Sequence, residues 1–110
     1  VLLYALPVDG QLSYLEKVTL HQLTPNTVTS KVKVRGLIEE AGMKGWSIVD
    51  QELEIGLRTI AVPIRDKAGT VLAALNVACP SSRVDPEDMH SRILLELQSA
   101  SQKITANLQR

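Results

Sequence analysis

The chain has 110 residues, 45% of them hydrophobic, with 12 basic and 12 acidic side chains and no net formal charge, which permits one compact domain with a modest core. Balanced charge and an aromatic set of one Trp, two Tyr and no Phe argue against a nucleic-acid surface, which needs a basic excess and stacking rings. A single cysteine closes no internal disulfide, so a reducing, cytoplasmic setting is the default, and no apolar run approaches the length that spans a bilayer.

The chain opens without a methionine, inside what reads as a packed segment, and is expected to be a fragment of a longer protein. Residues 1–6 lack the basic flank and the length of a signal sequence. They predict the last turns of a helix stopped by Pro7. Asp9 is expected to cap a second helix, with Leu12, Leu15 and Val18 at helical spacing. Residues 19–29, TLHQLTPNTVT, are rich in side chains that bond to their own backbone and read as a loop. His21 stands there without a second ligand at metal-binding spacing and receives no role.

Thr29 or Ser30 starts a helix through Lys44, with Val34, Leu37, Ile38 and Ala41 as its buried stripe and Gly45 as its stop. Gly36 and Gly42 oppose it, each costing about 1 kcal/mol relative to alanine. Lys31, Lys33 and Arg35 fan around this helix and solvate it. Residues 46–50 predict a short strand. The acidic run that follows, Asp50-Gln51-Glu52-Leu53-Glu54, reads as a solvated loop.

Residues 56–80 hold two apolar runs joined by one polar break, and predict a β-hairpin. Asp66 enters the turn and Gly69, free to take φ > 0, leaves it. A four-residue loop pairs Arg65 with Thr70, Thr59 with Asn76 and Leu57 with Ala78. Alternation then puts Ile60, Val62, Ile64, Val71, Leu75, Val77 and Cys79 on one face, uniformly apolar, as a face under a helix should be. The opposite face carries Leu57, Thr59, Ala61, Pro63, Leu72, Ala74, Asn76 and Ala78. Small side chains with a hydroxyl and an amide among them suit either close packing on a helix or the lining of a pocket.

After a connector, Asp85-Pro86-Glu87-Asp88 is a strong helix start: a cap, a proline at the first position, and acids at the positive end of the dipole. Met89, Ile93, Leu97, Ala100, Ile104 and Leu108 form a stripe for the apolar hairpin face. The fold class is therefore α/β of the α+β kind, helices on an antiparallel sheet. No serine elbow, phosphate loop or Cys/His metal set is present, and Cys79 falls on the apolar face without an activating partner. Neither a catalytic residue nor a metal or cofactor is assigned, and an enzyme is not expected.

Collinear over essentially the whole chain, the run DQELEIGLRTIAVPIRD, then Gly69, Ala73-Ala74-Leu75-Asn76-Val77 and Pro80-Ser81-Ser82-Arg83, resembles the effector-binding domain of IclR-family transcriptional regulators. The likeness is greatest to the branch controlling protocatechuate and β-ketoadipate catabolism, which shares the DQELEIGLR-like run and a TP-x-T-like loop. The resemblance implies the second half of a GAF/profilin-like domain that binds a small organic acid. It also implies that DNA is bound only through an N-terminal winged helix-turn-helix not included here, and that the protein forms a homodimer or homotetramer in the cytoplasm with no membrane association. Carried over by position, Thr59 follows the G-x-R run and Asn76 and Ala78 occupy the paired positions of the last strand. Asp50 matches half of an acidic pair that touches ligand in some relatives. The implied ligand set is Asp50 at the rim with Leu57, Thr59, Ala61, Asn76 and Ala78 as floor, suited to a larger, partly apolar acid, aromatic acids included. The alternative is a structural or oligomerisation module whose small-residue face is filled by side chains.

Overall fold

The computed structural model describes residues 1–108. A turn of 3₁₀ helix, Leu3–Ala5, precedes α1 (Val8–Lys17) and α2 (Lys31–Lys44). Three strands follow, β1 (Ser47–Asp50), β2 (Leu57–Arg65) and β3 (Val71–Pro80). A helical rod ends the chain: α3 (Pro86–Asp88) runs through a π-helical turn, Met89–Ile93, into α4 (Leu94–Leu108). The strands make one antiparallel sheet in the order β1-β2-β3. Helices on an antiparallel sheet are thus the architecture, as the residue pattern predicts.

The helix ends follow their chemistry. Ser30 caps α2 by accepting from the Lys33 amide at 3.4 Å, and Gly45 closes it at φ 78°, its amide donating to the Ala41 carbonyl. Asp85 accepts from the Asp88 amide at 2.8 Å, with Pro86 at the first helical position. The first segment differs from expectation. Only Leu3–Ala5 is helical there, and Pro7 is itself the N-cap of α1, while Asp9 lies within the first turn without a capping bond. Along α2, Ile38 and Ala41 are buried but Leu37 is 46% exposed.

The hairpin forms with a register two residues away from the simplest pairing. Thr59 faces Ala78, Ala61 faces Asn76 and Leu57 faces Pro80. One residue of the shift comes from the turn, where the Asp66 amide donates to the Thr70 carbonyl at 2.9 Å, so that closure lies one position later on β2. The other comes from a bulge between Ile64 and Arg65. Gly69 takes φ 90° and donates to the Asp66 carbonyl, while the Asp66 carboxylate accepts from the Thr70 amide at 2.9 Å. Along residues 57–64 and 73–80 the even shift leaves the side chains on their expected faces; between bulge and turn the shift is one residue, so Val71, expected on the apolar face, comes opposite Arg65.

The apolar face is the core. Ile60, Val62 and Cys79 pack with Met89, Leu94 and Leu97, and Trp46, Ile48, Leu75, Val77, Val84 and Ile93 close around them. The helical stripe runs 89, 94, 97, 101 instead of the regular 89, 93, 97, 100. The π turn explains this: the Leu94 amide donates to the Met89 carbonyl, five residues back, which brings Leu94 above Met89 and moves Ile93 to the flank.

α4 also completes the sheet. β1 begins at Ser47, opposite Ala61, so beyond Ala61 the β1 side of β2 has no partner strand. Pro63 presents no amide there, and its carbonyl accepts from Ser101 Oγ at 2.7 Å; the Arg65 carbonyl accepts from Thr105 Oγ1 at 2.8 Å. Residues four apart on the helix thus stand in for a missing strand. Ser101 is 8% exposed, so Ser101→Ala should leave the Pro63 carbonyl unsatisfied and lower the unfolding free energy by about 1–3 kcal/mol, read by urea denaturation with an unchanged slope.

Candidate functional site

The outer face of the sheet, turned away from α4, gathers the small residues. Register pairs Thr59 with Ala78 and Ala61 with Asn76, so these four side chains form one contiguous patch, with Leu57 beside it at the start of β2. Thr59 and Ala61 are half-buried; Asn76 and Ala78 are exposed. The hydroxyl and the amide are therefore diagonal rather than adjacent, at a spacing of roughly 7–8 Å between backbone positions. No ionisable side chain belongs to the patch. Val49, on the same face of β1, is 40% exposed and extends its apolar area.

Asp50 is not brought to this patch. It pairs with Arg58 across β1 and β2, on the helix-facing side, and Arg58 Nε donates to its carboxylate at 2.7 Å. Arg58 belongs to that side because its β3 partner is the buried Cys79. The same guanidinium donates from Nη1 to the carbonyls of Ser81 at 3.1 Å and Val84 at 2.8 Å. It ties β1, β2 and the connector to α3 together, and only 13% of its side chain is exposed.

The acidic run is more structured than a solvated loop. Gln51 adopts φ 57°, a region costly for a residue with a side chain, and several bonds hold it there. Its amide donates to the Leu57 carbonyl, its side-chain oxygen accepts from the Gly56 amide at 3.0 Å, and its carbonyl accepts from Thr24 Oγ1 at 2.5 Å. Thr27 Oγ1 donates to the Glu52 carbonyl, and Glu52 Oε1 accepts from the Val28 amide at 3.1 Å. The threonines also fold their own loop: Thr27 Oγ1 accepts from the Thr24 amide, and Thr24 Oγ1 from the Asn26 amide. The loop between α1 and α2 is thereby fastened at the end of the sheet where Leu57 and Ala78 lie. The residue pattern marks the loop but not its partner. The available signal was Thr24-Pro25-Asn26-Thr27 itself, whose two hydroxyls exceed what one tight turn consumes.

Other groups remain outside any chemistry. Cys79 is buried in the core, His90 packs edge-on against Trp46 with ring centroids 5.1 Å apart, and Lys44 Nζ lies 4.9 Å from the centre of the Trp46 ring. Among the described residues no three His, Cys, Asp or Glu side chains gather in a way that holds a metal ion, and no helix is long and apolar enough to cross a membrane. A neutral, partly open patch of small and polar side chains can contact a small ligand and orient its polar ends, but supplies no acid, base or nucleophile.

Residues 1–106 match the family model of the bacterial transcriptional regulator IclR C-terminal region. The chain is similar to the Pca regulon regulatory protein of Pseudomonas putida, 39% identical over 108 residues, covering 98% of the chain and 37% of that protein. It therefore spans well under half the length of that curated relative. A crystal structure from Rhodococcus sp. RHA1 superposes with a TM-score of 0.95 at 38% identity, covering 98% of this chain and 43% of that one. A second structure is a double mutant of the PobR inducer-binding domain from Acinetobacter in complex with 3-hydroxybenzoic acid. It superposes at a TM-score of 0.90 and 28% identity, covering 94% of this chain and 59% of that one. These relatives are transcriptional regulators, not enzymes.

Proposed function

The chain belongs to the IclR family of bacterial transcriptional regulators, and from that premise we propose that its outer sheet face is the floor of an effector site for a small, partly apolar carboxylic acid. The observation that carries this reading is the patch of Thr59, Ala61, Asn76 and Ala78, small and uncharged, with two hydrogen-bonding side chains set diagonally on it. Leu57 borders it. Asp50, engaged by Arg58 on the other face, is left out of the set. A diagonal spacing suits a ligand whose polar groups stand at two ends of an apolar body, such as an aromatic acid, better than a compact acid. The complex of the Acinetobacter inducer-binding domain with 3-hydroxybenzoic acid supports that class.

In this reading the chain is the later part of the effector domain, residues outside it supply the remaining walls, and the full regulator acts in the cytoplasm as a homodimer or homotetramer. Ligand bound to the face shifts the arrangement of the full regulator and, through it, the operator affinity of a helix-turn-helix elsewhere in the protein. The test is calorimetric titration of the full-length protein with protocatechuate, β-ketoadipate and related acids. Thr59→Val combined with Asn76→Leu should weaken binding at least about ten-fold, since a hydrogen bond to a charged group contributes about 1.5–3 kcal/mol. Heat of binding that is absent throughout, or unaltered in the double variant, refutes the assignment.

A further inference from the structure

The premature end of β1 leaves a groove of about 540 Å³ at the open edge of β2, between its last residues, the C-terminal end of α2 and α4. We infer that this groove is a second ligand site, distinct from the outer sheet face, for a small organic anion. Its volume lies within the roughly 300–1,000 Å³ of small-molecule sites. The side chains of Gln98 and Gln102 line one wall, Lys44 and Arg65 supply two cations, and Val62 and Pro63, both buried, close the floor. No carboxylate lines it.

The two cations differ in availability. Lys44 already bonds Glu40 and lies over Trp46. Arg65 Nη2 donates to the Tyr4 hydroxyl at 2.8 Å, and none of the three ion pairs among the described residues uses it. Its planar fork is the group for a carboxylate, which it can hold bidentately. An added β-strand is not the occupant: Pro63 has no amide to offer, and the carbonyls of Pro63 and Arg65 already accept from Ser101 and Thr105. What remains to face a guest is two cations with no carboxylate beside them in the groove, and glutamine amides that can donate as well as accept, a balance of charge that favours anions.

This inference does not depend on the effector site, and the two are read separately by threonine methyl groups, Thr105 for the groove and Thr59 for the outer face. The full-length regulator with labelled threonine methyls is titrated with benzoate and, separately, with its neutral isostere benzamide, followed by NMR. Benzoate should shift Thr105 saturably, in the unmodified protein and in the Thr59→Val, Asn76→Leu background observed through Thr105 alone, at least ten-fold tighter than benzamide. Arg65→Gln, and independently Gln98→Glu on the helix surface, should remove the Thr105 shift. A Thr105 signal that does not move, that moves equally with benzamide, or that still responds in Gln98→Glu overturns the second site. A response confined to Thr59 overturns it too, while leaving the effector floor intact.

Discussion

Ile60→Ala should lower the unfolding free energy by about 2–5 kcal/mol, the range for removing a large aliphatic side chain from a packed interior. Ile60 is 0% exposed at the centre of β2, between β1 and β3, and faces Met89, itself 0% exposed. Rigid strands on both sides limit how far the surroundings collapse into the space, which places the expected cost in the upper half of the range. Met89→Ala should cost less within the same range, because the π turn that carries Met89 has more freedom to settle. Residues of one cluster share a cavity, so the double variant should fall short of the sum of the two single ones. Chemical denaturation of the three variants measures this directly. A loss under 1 kcal/mol for Ile60→Ala would show that the sheet and α4 do not share one core.

Arg58→Ala is expected to be nearly as damaging, at about 2–4 kcal/mol, through polar and not apolar chemistry. One guanidinium donates to the Asp50 carboxylate and to the Ser81 and Val84 carbonyls, and its side chain is 13% exposed. Hydrogen bonds to charged groups contribute about 1.5–3 kcal/mol each, reduced here because Asp50 remains 43% exposed and is screened by water. Arg58→Lys should rescue little: a single ammonium cannot reach one carboxylate and two carbonyls lying in different directions. Asp50→Asn should cost under about 1 kcal/mol, since the two carbonyl bonds survive it. Equal losses for Asp50→Asn and Arg58→Ala would locate the effect in the ion pair instead of the connector.

Period-two alternation made the two hairpin faces legible, and this withstood an error of two residues in register because an even slip exchanges partners without exchanging faces. The partners themselves were not legible. The bulge at Ile64 and Arg65 and the closure from Asp66 to Thr70 leave no compositional mark, so the residue pattern sets Thr59 beside Asn76 whereas the two lie diagonally. Asp50 shows a different limit. Its face depends on how β1 pairs with β2, and that pairing is set by the loop of residues 51–56, with Gln51 at φ 57°. The positive φ at Gln51 is held by bonds with Gly56 and Leu57 and by one from Thr24, far away in the chain, and no local propensity announces it. The π turn is similar: the sequence offers an unbroken helical stripe, and only packing against Ile60 and Val62 favours the extra residue that brings Leu94 inward.

The proposed role of the outer sheet face is to hold a ligand. It is tested most directly by a crystal structure of the full-length protein grown with the acid that gives the largest calorimetric signal. Ligand density is expected against Ala61 and Ala78, with one polar end within hydrogen-bond distance of Thr59 Oγ1 and the other of the Asn76 amide. The same face packed dry by side chains from elsewhere in the protein, with the acid bound at another place, would contradict it.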